Sequence, residues 1–103
     1  MILPDYLHEK NMKIIDRYGL DHQLIQLMEE CGELIQKISK YFRAKEVGGK
    51  SEIYQACQDM KLEMADVEVL YDQVRERINF TTDELHNMAA YKIDRTIGRI
   101  NND

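Results

Sequence analysis

The chain has one proline, no tryptophan and only two phenylalanines among 103 residues. Proline breaks helix interiors, so its near absence leaves long stretches free to stay helical. With no tryptophan, any ring stacked on a ligand would have to come from tyrosine, Phe42 or Phe80. Cysteine is scarce too. Cys31 and Cys57 form no Cys-x-x-Cys, and two cysteines make no disulfide framework. Both fall among apolar residues of helical segments. They are expected to be buried thiols in a reducing compartment. No apolar run approaches the ~18 residues of a membrane span. The opening Met1-Ile2-Leu3-Pro4-Asp5 lacks a charged start and a long apolar stretch, so no signal peptide is expected. Positive charge is the scarcer sign. Lys and Arg number 14 against 19 Asp and Glu, and the net charge is −5. That balance argues against a nucleic-acid backbone or an anionic membrane as partner. A cytoplasmic location is expected.

What is present is helical periodicity. Apolar residues make up 44% of the chain, too many for a disordered polymer. The length allows one domain, residues 1–103, with a core expected over 21–100. A first helix is predicted from about Asp5 to Tyr18, with Leu7, Ile14, Ile15 and Tyr18 inward and Gly19 as a left-handed cap. Asp21 is predicted to cap a second helix to about Arg43. Its stripe is Leu24, Leu27, Met28, Cys31, Leu34, Ile35, Ile38 and Phe42. The stretch Ala44 to Lys50, with Gly48-Gly49, reads as a mobile loop. Ser51 then opens a third helix to about Ile78, striped by Ile53, Cys57, Met60, Met64, Val67, Tyr71, Val74 and Ile78. Thr81 to Glu84 has capping-box spacing and opens a fourth helix to about Ile100. Asn101 to Asp103 are expected to fray. No segment reads as a strand. The fold class is all-α, a four-helix bundle. Leu62, Val69 and Leu70 lie off the third helix's stripe. This second strip predicts a further packing surface, and so a homo-oligomer.

Two acidic clusters stand out. Glu29-Glu30-Cys31-Gly32-Glu33 reads E-E-x-x-E, and Glu63-Met64-Ala65-Asp66 reads E-x-x-D. Carboxylates three or four residues apart on a helix stand side by side and repel. These five acids are equal in number to the whole net charge. At about 100° per residue, Glu63, Asp66 and Asp59 share one arc of the third helix. Antiparallel packing of the two long helices brings both clusters to mid-bundle height. Oxygen-only ligands select hard cations such as Mg²⁺ or Mn²⁺. Such a site suits metal-assisted hydrolysis of a phosphoanhydride, with a spare carboxylate taking the proton of water. Lys92 interrupts the fourth helix's inward line of Leu85, Met88, Ala89 and Thr96. There it either snorkels to solvent or meets an anion. The alternative is that both acidic clusters are solvated faces of a non-enzymatic helical module, one that binds nucleotides or a protein partner. No Glu-x-x-His pairs, clustered Cys/His ligands or phosphate-binding loop offer another chemistry.

The segment His22 to Leu34 resembles the first motif of MazG-like nucleoside triphosphate pyrophosphohydrolases. Leu62-Glu63-Met64-Ala65-Asp66-Val67 is similar to their second motif. The stretch Thr82 to Ile100, with Lys92 and Arg95, resembles the family's basic C-terminal helix. The resemblance covers roughly Asp21 to Ile100. It implies an all-α NTP pyrophosphatase fold, assembled as a homodimer or homotetramer. It also implies cleavage of (d)NTPs to the monophosphate and pyrophosphate. Glu30, Glu33, Glu63 and Asp66 would then bind Mg²⁺, and Glu29 would bind metal or help activate water. Lys92 and Arg95 would contact phosphates, and Gln23 would help hold the nucleotide. One position departs from the pattern: Ala90 stands where many members carry an asparagine.

Overall fold

A computed structural model describes residues 3–103; Met1 and Ile2, part of the opening segment read above, lie outside them. Four α-helices follow in order: α1 Asp5–Tyr18, α2 Leu20–Val47, α3 Lys50–Arg77 and α4 Thr82–Asn102. No strand occurs among the described residues. None of these helices is long and apolar enough to cross a membrane.

The helix ends are set by local chemistry. Gly19 has φ +87° and ψ 163°, a region open essentially to glycine alone. Its N–H bonds Ile15 O at 2.7 Å, ending α1, and α2 begins at the next residue. Asp21 is therefore not the cap expected of it. It lies in the first turn of α2, where its charge faces the positive end of the helix dipole. The expected mobile loop shrinks to Gly48-Gly49, because α2 runs on through Val47. A Cβ on Gly48 would lie 2.8 Å from Ala44 O, so the close chain reversal needs glycine there. Glu52 accepts the Gly49 N–H at 3.3 Å and stabilises the start of α3, one residue before Ser51.

At the far end of α3, Asn79 takes φ +56°. Phe80 N–H bonds Arg75 O and Asn79 N–H bonds Glu76 O, a Schellman ending. Thr81 follows with its capping box intact: Thr81 Oγ accepts from Glu84 N, and Glu84 Oε1 accepts from Thr81 N. These two caps fix the corner from which α4 departs. The tail is helical through Asn102 rather than frayed from Asn101.

α2 and α3 pack along their length and α1 crosses both, while α4 packs on none of the other helices. The inward line assigned to α4 therefore has nothing to face within one chain. Met88 is 52% exposed and Lys92 is exposed. The radius of gyration is 16.9 Å, against about 13 Å for a compact chain of this length. The accessible surface is 7913 Å², well above the roughly 6,000 Å² of a compact monomer of this mass. Much of the α2 stripe is open: Met28, Ile35 and Phe42 are all exposed, and so is Cys31. Cys57 is half-buried, so neither thiol is the buried one expected. Leu70, placed on an outer strip by periodicity, is buried, whereas Leu62 and Val69 are exposed.

The tightest packing joins α1, α2 and α3, and much of it is polar. Ile15, Leu70 and Val74 are buried beside Asn11, Gln23, Asp72 and Gln73. The polar groups form one chain of hydrogen bonds. His22 Nδ1 meets Gln23 Oε1 at 2.7 Å, Gln23 Nε2 donates to Gln73 Oε1 at 2.7 Å, and Gln73 Nε2 donates to Asn11 Oδ1 at 2.6 Å. Asn11 Nδ2 donates to Asp72 Oδ2 at 2.9 Å and to Val69 O at 2.8 Å. His8 Nδ1 lies 2.9 Å from both Asp72 oxygens. A carboxylate only accepts, so Nδ1 carries the proton. Both chain ends donate inward toward one carboxylate.

Candidate metal centre

α2 and α3 bring the two acidic motifs together. Glu30, Glu63 and Asp66 each offer an oxygen, and these oxygens lie within 4.8 Å of one another. Helical spacing accounts for part of this: Glu63 and Asp66 are one turn apart on the same face of α3. The packing of α2 against α3 supplies the rest. Glu30 and Glu63 are half-buried and Asp66 is exposed.

The electrostatic consequence falls on Glu30. Its carboxyl is raised from the ordinary 4.5 to about 7. The leading cause is its hydrogen bond with Glu63, followed by burial and then by the charges of Glu63, Asp66 and Glu33. Carboxylates brought this close disfavour ionising together, so the Glu30 carboxyl keeps its proton to higher pH. Glu63 Oε2 is shut from solvent with no hydrogen-bond partner among the described residues. An orphaned acceptor in a crowded acidic cluster is the environment a cation relieves. The donor set is all oxygen and therefore fits a hard divalent ion.

The remaining sequence-derived residues fall elsewhere. Glu33 is exposed, and its charge reaches Glu30 without its oxygens joining the triplet. Glu29 is exposed outside the cluster. Gln23 is 4% exposed, with its amide oxygen and nitrogen both engaged in the polar chain. Lys92 and Arg95 are exposed on α4, clear of the α2–α3 pair. The Arg95 guanidinium lies 6.0 Å from the Tyr91 ring centre. One chain thus assembles the acids and leaves these two basic residues apart. Sequence reasoning passed over Lys37 and Lys40, which line a cavity between α2 and α3 with Glu52, Gln55, Ala56 and Asp59. Their signal was available: Lys37 stands four residues after Glu33, on the same face of α2.

The raised Glu30 carboxyl has a measurable consequence. Between pH 4.5 and about 7 the folded chain holds a proton that the unfolded chain has released. Stability in metal-free buffer is therefore expected to fall as pH rises through that window. Glu30→Gln should flatten this slope in urea titrations at pH 5, 6, 7 and 8. A slope unchanged in the variant would place the titration elsewhere.

No protein-family model, curated protein or solved structure matches the chain.

Proposed function

We propose that the chain is a Mg²⁺-dependent nucleotide pyrophosphohydrolase cleaving (d)NTPs to the monophosphate and pyrophosphate, for nucleotide-pool sanitation. The observation that carries this reading is the convergence of Glu30, Glu63 and Asp66 from two helices onto one point. Glu30, Glu63 and Asp66 would hold Mg²⁺, with Glu33 alongside; Mn²⁺ suits the same donors. A bound divalent ion lowers the pKa of water and neutralises charge developing on phosphorus-bound oxygen. Glu29 and Glu33, both exposed, are free to take the proton of the attacking water. In that hydrolysis water oxygen bonds to the α-phosphorus, the bridging bond to the β-phosphate breaks, and pyrophosphate leaves.

The reading includes a homo-oligomer, dimer or tetramer. Its support is the excess surface and the unpacked α4, where Ile93, Ile97 and Ile100 are each half-exposed or more. Those residues recur at four- and three-residue spacing, the seam pattern of helices that pair. A second copy is then the source of Lys92 and Arg95 for the acids. Sedimentation at micromolar concentration is expected to give two or four chains, and Tm should rise with protein concentration. A stable monomer would remove this part of the proposal.

The same exposed apolar surface favours the rival reading, a non-enzymatic module for a protein partner or a nucleotide. Purified protein incubated with common and damaged (d)NTPs separates the two. The proposal expects pyrophosphate from at least one of them, only with Mg²⁺. No release across the panel would leave the module.

A further inference from the structure

A cavity of about 230 Å³ opens between α2 and α3, lined by Lys37, Lys40, Glu52, Gln55, Ala56 and Asp59. Helix geometry puts it about two turns along the same seam from the acidic cluster. Lys37 is four residues beyond Glu33 on α2, and Asp59 is four residues before Glu63 on α3, so each step is one turn, about 6 Å. Glu30 and Glu63 offer oxygens within 4.8 Å of each other across the pair. Seven residues on along α2 and seven back along α3, Lys37 faces Ala56 over the same cavity. The lysine-lined cavity therefore lies about two turns, roughly 10 Å, along the α2–α3 seam from the carboxylates.

The cavity's own carboxylates are already engaged. Asp59 Oδ1 accepts from Gln55 Nε2 at 2.9 Å, and Glu52 Oε1 accepts the Gly49 N–H. Neither Lys37 nor Lys40 is ion-paired among the described residues, although two carboxylates line the same space. Lys37 is half-buried. Its side chain lines the cavity and makes no ion pair there among the described residues.

We infer that Lys37 and Lys40 bind the outer phosphates of a polyphosphate ligand whose remaining phosphate sits at the acidic cluster. The inference rests on the reading of that cluster as a cation site for a nucleoside polyphosphate. It places the first basic contacts within the same chain, on α2, rather than on α4. The chemistry recognised is a linear phosphoanhydride carrying negative charge along its length. Two ammonium groups suit it as point charges.

The test uses inorganic tripolyphosphate with Mg²⁺, followed by isothermal titration calorimetry on the full chain. The double variant Lys37→Gln/Lys40→Gln is expected to bind it about ten- to a hundredfold more weakly, the scale of two lost charge-assisted hydrogen bonds. Circular dichroism and Mg²⁺ affinity should stay unchanged, since neither lysine touches the acids. In turnover assays the double variant should raise KM by a similar factor with kcat nearly constant. Equal tripolyphosphate affinity in wild type and variant would overturn the inference, as would a wild type that binds none. Tripolyphosphate binding lost in the variant, with no nucleotide cleaved by the wild type, would sustain the subsite and reject the enzyme. Nucleotide cleavage with an unaltered KM in the variant would do the reverse.

Discussion

Glu63→Gln is expected to abolish turnover while the helices stay folded. Glu63 is the hub of the cluster: an oxygen of its carboxyl lies within 4.8 Å of those of Glu30 and Asp66, and its Oε2 is buried with no hydrogen-bond partner among the described residues. Glutamine keeps the shape and removes the charge. The loss should exceed the roughly 10–100-fold seen when only an outer-shell partner of a metal ligand is removed. Stability should move the other way. Removing one of several crowded carboxylates relieves repulsion, so the variant in metal-free buffer at pH 8 should melt no lower than the wild type. Steady-state kinetics with Mg²⁺ and a metal-free melt check both halves. Full activity in the variant would reject the metal assignment.

Asp72→Ala is expected to be the most damaging change to the fold. Asp72 is 4% exposed and receives both His8 and Asn11. Through Asn11 it anchors Gln73, Gln23 and His22. Alanine removes the carboxylate that accepts from buried Asn11 and from the part-exposed His8, leaving Asn11 Nδ2 only its bond to Val69 O. An unsatisfied buried group costs about 1–3 kcal/mol. One N–H of Asn11 is left in that state, so a loss of about 1–3 kcal/mol is expected. Against a typical domain stability of 5–15 kcal/mol, that is a large share. Urea unfolding measures it directly. A double-mutant cycle with Asn11→Ala should show coupling, because the two side chains share one bond. A change within about 0.5 kcal/mol, the range of an ordinary surface substitution, would mean that the polar chain does not hold α1 in place.

The helices were legible because their signals are local. The Thr81–Glu84 box, the Gly19 stop and the 3.6-residue stripes act over a few residues; the box and the stop stand in the structure, and the stripes mark helices but not burial. The acidic convergence was legible in part. Spacing put Glu63 and Asp66 on one face, but only packing selects Glu30 over Glu29 and Glu33 as the residue that meets them. Burial was much less legible. A stripe such as Met28, Ile35 and Phe42 records that a face is apolar, not which chain covers it. The polar core escaped for the opposite reason. Asn11 lies one turn before Ile15 on the inward line of α1, yet a polar residue there reads as a break until its partners on α3 are known. Asp72 and Gln73 carry no sign of burial beyond their phase with Leu70 and Val74.

The central claim is that the acids of α2 and α3 form one site for a divalent cation. Thermal unfolding of wild type and Glu63→Gln, each with and without millimolar Mg²⁺ at pH 8, tests it most directly. An ion that binds only the folded state stabilises it by mass action, about 2.7 kcal/mol at a hundred times Kd. For a domain of this size each kcal/mol is worth about 4–8 °C. The wild type should therefore gain several degrees or more with Mg²⁺, and Glu63→Gln should gain none. A wild type whose melting is indifferent to Mg²⁺, or a variant that gains as much, would contradict the account.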